Sequence, residues 1–207
     1  MEQQHQYHAI KNIKMRNIKF NLILVIILTS IFSCKAQQVL PLKSSWDNAP
    51  QSSYLKDLDN DLNQYEGTWA SFDNGKHIKL IIIKELQKQF KDMNKTLYKD
   101  QLLIRFEITD VNGLIIKSTL YDNFAINQNY QITSLFPTAN NNEVILLYNG
   151  GRCSIGLGGI YMKKISATQI QWNYRPEGTV LNDQSCPPPV DTKIYLPTTE
   201  NLIFTKQ

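Results

Sequence analysis

The sequence predicts an all-β fold: a single antiparallel, up-and-down barrel of about 8–10 strands with a short N-terminal helix. Three observations carry that expectation. Apolar and polar side chains alternate over several segments, the tight-turn pair Asn74-Gly75 joins two of them, and the segments follow one another at short, even spacing. Alternation puts one row of side chains on a core and the other in solvent. Many short strands with brief connections build a sandwich or a barrel, and consecutive hairpins favour the up-and-down arrangement. No internal repeat is visible, so one domain is expected.

Taken in order, the chain opens with a leader. Lys14, Arg16 and Lys19 precede the apolar run from Phe20 to Ser33. A basic stretch, a short apolar run and a small final residue make a secretory signal peptide over residues 1–33, shorter in its apolar part than the about 20 residues that span a bilayer. Met15 gives a more compact leader than Met1, so residues 1–14 read as an over-extended start or as a disordered extension. The end of the run, Ile31-Phe32-Ser33-Cys34, resembles the lipobox of bacterial lipoproteins. That resemblance implies lipidation of Cys34, cleavage before it and attachment to a membrane. Removing Lys11, Lys14, Arg16, Lys19 and Glu2 takes the formal charge from +4 to +1, so the basicity belongs to the leader and no nucleic-acid partner is expected. The remaining 174 residues suffice for one domain with a core.

Residues 34–51 hold two prolines and no sustained period, and are expected to be the lipid anchor and a tether. A helix over Tyr54 to Tyr65 is then expected, capped by Ser52 or Ser53, with Tyr54, Leu55, Leu58, Leu62 and Tyr65 on one face as a lid. The barrel domain, 52–207, continues from Gly67 in period two. Strands are expected at Trp69–Phe72, His77–Leu86, Leu102–Ile108, Leu114–Tyr121, Tyr130–Phe136, Glu143–Asn149, Gly159–Ile165, Gln169–Tyr174 and Leu202–Lys206.

The three cysteines are Cys34, Cys153 and Cys186. If Cys34 carries lipid, an even pair remains in an oxidising space, and a Cys153–Cys186 disulfide is its natural pairing. The alternative, a thiol pair on a metal, finds only His77 in the mature chain and no CxxC spacing, so no metal or other cofactor is expected. Five of the nine glycines fall between Gly150 and Gly159. Without a Gly-Lys-Ser/Thr ending or a following helix they do not cradle phosphate; they read as a long hairpin loop with positive-φ positions. Cys153 would staple that loop to Pro176–Val190, making one rim of a barrel mouth with Arg152 presented outward.

Catalysis finds little footing. A nucleophilic triad has only His77 to draw on and no Gly-x-Ser-x-Gly elbow exists. Glu107 shares a polar strand face with Arg105 and Thr109, which suits a surface ion pair better than a catalytic carboxylate. The expectation is therefore not an enzyme. Trp69, Phe106, Trp172 and Tyr174 either fill the core or line a cavity for one small molecule.

Two resemblances extend this reading. Tyr65-Glu66-Gly67-Thr68-Trp69 is similar to the opening of lipocalin-like barrels, in which the Trp closes one end and an Arg near the last strand packs on it. Here the last strand offers Lys206. The segments Ser33–Leu42, Tyr54–Leu58, Gly67–Trp69, Leu146–Tyr148, Ile194–Pro197 and Asn201–Gln207 resemble a family of small Bacteroidetes (flavobacterial-type) lipoproteins of unknown function. The resemblance implies a cell-envelope location and supplies no catalytic residues. An acidic patch after the cysteine would favour the cell surface in such lipoproteins; Lys35-Ala36-Gln37-Gln38 lacks it, which implies an outer-membrane anchor facing the periplasm. The resulting expectation is a lipid-anchored binding module for a small apolar ligand or envelope component, with Trp69, Arg152, Trp172 and Tyr174 at the ligand site or rim. The alternative is a structural or protein-interaction lipoprotein with a packed core and no ligand.

Overall fold

Eight antiparallel strands close on themselves around an interior filled by their own side chains. The computed structural model describes residues 37–92, 94–137, 142–184 and 186–207. The signal peptide and Cys34 lie outside the described residues. The strands are β1 Val39–Pro41, β2 Tyr54–Lys56, β3 Gly67–Asp73, β4 Lys76–Asp92, β5 Lys95–Asp110, β6 Ile115–Ser118, β7 Ile132–Pro137, β8 Glu143–Tyr148, β9 Gly158–Ser166, β10 Gln169–Pro176 and β11 Leu202–Lys206. Around the barrel the strands pair in chain order, β3-β4-β5-β7-β8-β9-β10-β11, with β6 outside the ring, and β11 returns to β3. This is the up-and-down barrel the alternation predicts.

One edge of β5 serves three partners in turn. It takes β2 in parallel at Tyr98 and Lys99, β7 at Leu103 and Ile104, and β6 at Glu107 to Thr109. Its other edge pairs with β4 along almost its whole length, with a bulge between Glu85 and Lys88 where Gln87 adopts a positive φ. The β4–β5 ribbon therefore runs beyond the expected limits, Leu86 and Leu102, past the barrel wall. The Asn74-Gly75 hairpin forms as expected, with positive φ at both residues.

Inside, rows of side chains meet in register. Val144, Met162 and Trp172 are directly paired across β8, β9 and β10, and Ile170 faces Phe204 across β10 and β11. Trp69, Leu80, Ile104 and Phe106 belong to the same buried cluster. Both interior indoles keep a hydrogen-bond partner: Trp69 Nε1 donates to the Tyr65 carbonyl at 2.8 Å and Trp172 Nε1 to the Pro197 carbonyl at 3.3 Å.

Two expectations are corrected. The stretch Tyr54–Tyr65 is not a helix; it is strand β2, a run of turns and a single 3-10 turn at Asn63–Tyr65. Its polar residues explain this. The Asp57 carboxylate accepts the N–H groups of Asp61 (2.9 Å) and Leu62 (3.1 Å), and Asn60 sits at positive φ. Short polar side chains that bond nearby backbone compete with helix in this way. Leu58, placed on the helix's apolar face, is exposed. Of the stretch expected as anchor and tether, 34–51, residues 38–51 belong to the compact unit Gln38–Gln207. β1 pairs with β2, and Leu42 and Ala49 are buried.

Candidate functional site

The expected staple between the two loops exists. Cys153 and Cys186 form a disulfide with their Cα atoms 5.9 Å apart. Arg152 reinforces it: Nη1 donates to the Pro189 carbonyl at 3.1 Å and Nη2 to the Pro187 carbonyl at 3.2 Å. The guanidinium thus ties loop to loop through these two bonds while the residue stays exposed. Trp69 and Trp172 are 0% exposed and Tyr174 is 3% exposed, because strand alternation points all three inward. Tyr174 lies edge-on to Tyr148 at 5.7 Å and donates its hydroxyl to the Gly156 carbonyl, beneath the glycine-rich loop. Burial pushes both phenol pKa values up. These aromatics are core, not a rim.

The other residues considered for chemistry are also spoken for. His77 packs on Phe72 beside the hairpin turn, 4.8 Å between rings. Glu107 pairs with Lys79 at 2.8 Å across β4, not with Arg105. Arg105 donates to the carbonyls of Thr119 (2.7 Å) and Asp122 (2.9 Å) and lies over Phe124. Among the described residues no cluster of His, Cys, Asp and Glu is arranged to hold a metal ion.

Two buried carboxylates form a structural knot at the base of the β4–β5 ribbon. Asp100 accepts the Tyr54 hydroxyl at 2.5 Å and the backbone N–H groups of Asp57 and Gln87, each at 3.0 Å. Asp57 accepts Lys84 Nζ at 2.7 Å. Burial and the bond to Asp100 raise the Tyr54 pKa, so its hydroxyl stays a donor. The knot holds β2 against β5 and so positions the surface described next.

On the outer face of β5 lies a cleft of about 250 Å3, lined among others by Leu42, Trp46, Leu55, Lys99, Leu135 and Phe136. Strand pairing builds it. β2 brings Leu55 directly beside Lys99, and the Leu42 N–H donates to the Lys56 carbonyl at 2.7 Å, so residues 42–46 arch over the ribbon. Lys95 Nζ fastens the far side of the arch through the carbonyls of Asp47 and Ala49. Trp46 packs edge-on to Phe136 at 5.5 Å and against Phe90 at 6.1 Å. A wider open groove of about 1210 Å3 shares Trp46, Lys99 and Leu135 with the cleft and continues along the barrel wall past Phe90, Leu103 and Arg105.

Lys99 is the unusual group here, being 5% exposed. Its Nζ donates to the carbonyls of Ser134 at 2.6 Å and Leu135 at 3.1 Å, and lies 5.2 Å from the centre of the Phe90 ring. Burial depresses its pKa to about 8. Among the described residues it has no carboxylate partner. Neither Lys99 nor Trp46 was singled out by sequence. The available signal was the apolar run Leu102-Leu103-Ile104, which marks a strand covered on both faces.

Neither a curated protein nor a solved structure matches this chain. A family profile does, over residues 15–207; it is described as a family of unknown function, DUF6705.

Proposed function

The chain belongs to DUF6705, a family of unknown function, and from its geometry we propose a lipid-anchored envelope binding module that takes a small apolar ligand in the outer-wall cleft, not inside the barrel. The observation that carries this is the cleft itself: a mostly apolar concavity built around Trp46, Leu55 and Phe136 beside one buried ammonium. The interior is filled by Trp69, Phe106, Trp172 and Phe204, which supports placing the ligand outside. The leader and the Ile31–Cys34 segment support an anchor on Cys34, and Lys35-Ala36-Gln37-Gln38, without an acidic patch, supports an outer-membrane anchor facing the periplasm. The disulfide supports an oxidising compartment.

Native mass spectrometry of the chain secreted with Cys34→Ser tests the ligand. A retained small-molecule mass that Trp46→Ala abolishes supports the cleft; a retained mass indifferent to Trp46→Ala counts against it. For the anchor, Cys34→Ser is expected to move the protein from the membrane to the soluble fraction, and retention on the membrane overturns the lipid reading.

A second reading is a protein-interaction lipoprotein whose barrel is a packed core. It draws on exposed apolar loop residues, Tyr121 at 97%, Ile126 at 84% and Val180 at 96%. A ligand-free mass together with loss of a crosslinked envelope partner on Tyr121→Ser favours it.

A further inference from the structure

Resting on the cleft reading, we propose that the ligand is a single-chain acidic amphiphile, its carboxylate on Lys99 Nζ and its hydrocarbon chain against Trp46, Leu42, Leu55 and Phe136. An ammonium has three donors. Two of those on Lys99 go to the Ser134 and Leu135 carbonyls, and the third has no acceptor among the described residues. Beyond those carbonyls and the Phe90 ring, its charge has no carboxylate counter-charge among the described residues, and a buried charge is costly without one. A monoanionic head supplies both the acceptor and the charge in one charge-assisted hydrogen bond.

The surrounding charges agree. Asp100, next in sequence, is bonded to Tyr54, Asp57 and Gln87. Glu85, on the groove wall, is bonded to Lys88 at 2.9 Å and to Gln101 at 3.0 Å. Lys91 and Arg105 add positive charge along the same groove, and neither pairs with a carboxylate among the described residues. Lys43, also on the cleft wall, is paired with Asp61 at 2.7 Å, so the lining charges left without a carboxylate among the described residues are basic, which favours an acid over a neutral lipid. The size agrees as well: about 250 Å3 lies just under the ~300–1,000 Å3 of drug-sized sites, which suits one chain rather than two.

Isothermal titration of the full chain carrying Cys34→Ser compares decanoate with decanol at pH 7. Decanoate is expected to bind at least tenfold tighter. Lys99→Met is expected to erase that preference while leaving decanol binding in place, and Lys99→Arg to keep the preference. Equal affinity for the two ligands in the parent protein overturns the acidic-head assignment and leaves the cleft reading standing. Absence of binding by either ligand overturns both. Because the acid-to-alcohol ratio is read on the parent protein, the result does not depend on whether Lys99→Met folds.

Discussion

Lys206 and Trp69 face each other across the junction of β11 and β3, with the Lys206 ammonium 5.3 Å from the indole centroid. Lys164 approaches the same indole at 4.4 Å, and burial together with the Lys206 charge lowers its pKa. Lipocalin-like barrels, which the opening Gly67-Thr68-Trp69 resembles, place an Arg on this Trp; here a Lys stands on it instead.

The Trp contributes far more than its cations. Trp69→Ala is expected to cost about 3–5 kcal/mol of unfolding free energy, the range for deleting a large buried aromatic. Lys206→Met is expected to cost no more than about 1 kcal/mol, the worth of a cation–π contact near the surface. Urea denaturation followed by far-UV circular dichroism checks both, and equal losses would contradict the assignment.

Opening the disulfide by the double substitution Cys153→Ser and Cys186→Ser is expected to cost roughly 3–4 kcal/mol, from the entropy the closed loop removes from the unfolded chain. Parent protein unfolded in reductant should match the double variant, while the double variant should be indifferent to reductant. Arg152→Ala, which breaks two exposed bonds to carbonyls, should cost about 1 kcal/mol or less.

Asp100→Ala leaves the Tyr54 hydroxyl and the N–H groups of Asp57 and Gln87 without their acceptor. Of these only Asp57 is buried, Tyr54 being half-buried and Gln87 exposed, so at about 1–3 kcal/mol for an unsatisfied buried group a loss of roughly 1–3 kcal/mol is expected. Thermal melts should show it, with Asp100→Asn intermediate because one amide oxygen remains to accept.

Stability should rise with alkaline pH and then fall. Lys99 titrates at about 8 in the fold against 10.5 when exposed. Between those values the unfolded chain binds more protons than the native one, so raising the pH favours the fold, by about 3 kcal/mol in all for this group. Above pH ~10 the sign reverses. Burial holds Tyr65, Tyr148 and Tyr174 protonated in the fold, while the unfolded chain releases their protons. A stability maximum between pH ~8 and ~10.5 is expected in denaturant titrations, and Lys99→Met should remove most of the rise, leaving the contribution of Lys164, whose pKa is also lowered, while keeping the fall.

Where residues repeat with period two, sequence and structure agree. Ile170, Trp172 and Tyr174 all face inward on β10, and Asn74-Gly75 forms its hairpin because both residues tolerate positive φ. The misplaced helix over Tyr54–Tyr65 had the right apolar spacing, but its aspartates bond locally and Leu55 is claimed by β5, a partner far along the chain. The cleft was least legible. Leu42 and Trp46 sit among prolines and serines with no period of their own, and only the two-sided burial of β5 gives them something to cover.

The return of β11 to β3 also sets an order in time. Leu202–Lys206 must arrive before the wall beside Trp69 is complete. Until then the hairpins can form locally while Leu80, Phe106 and Trp172 still face water, and pairing across so long a separation is slow. A chain that emerges residue by residue therefore stays an open ribbon until its end appears. Its last five-residue strand acts as the latch that turns the ribbon into a cylinder.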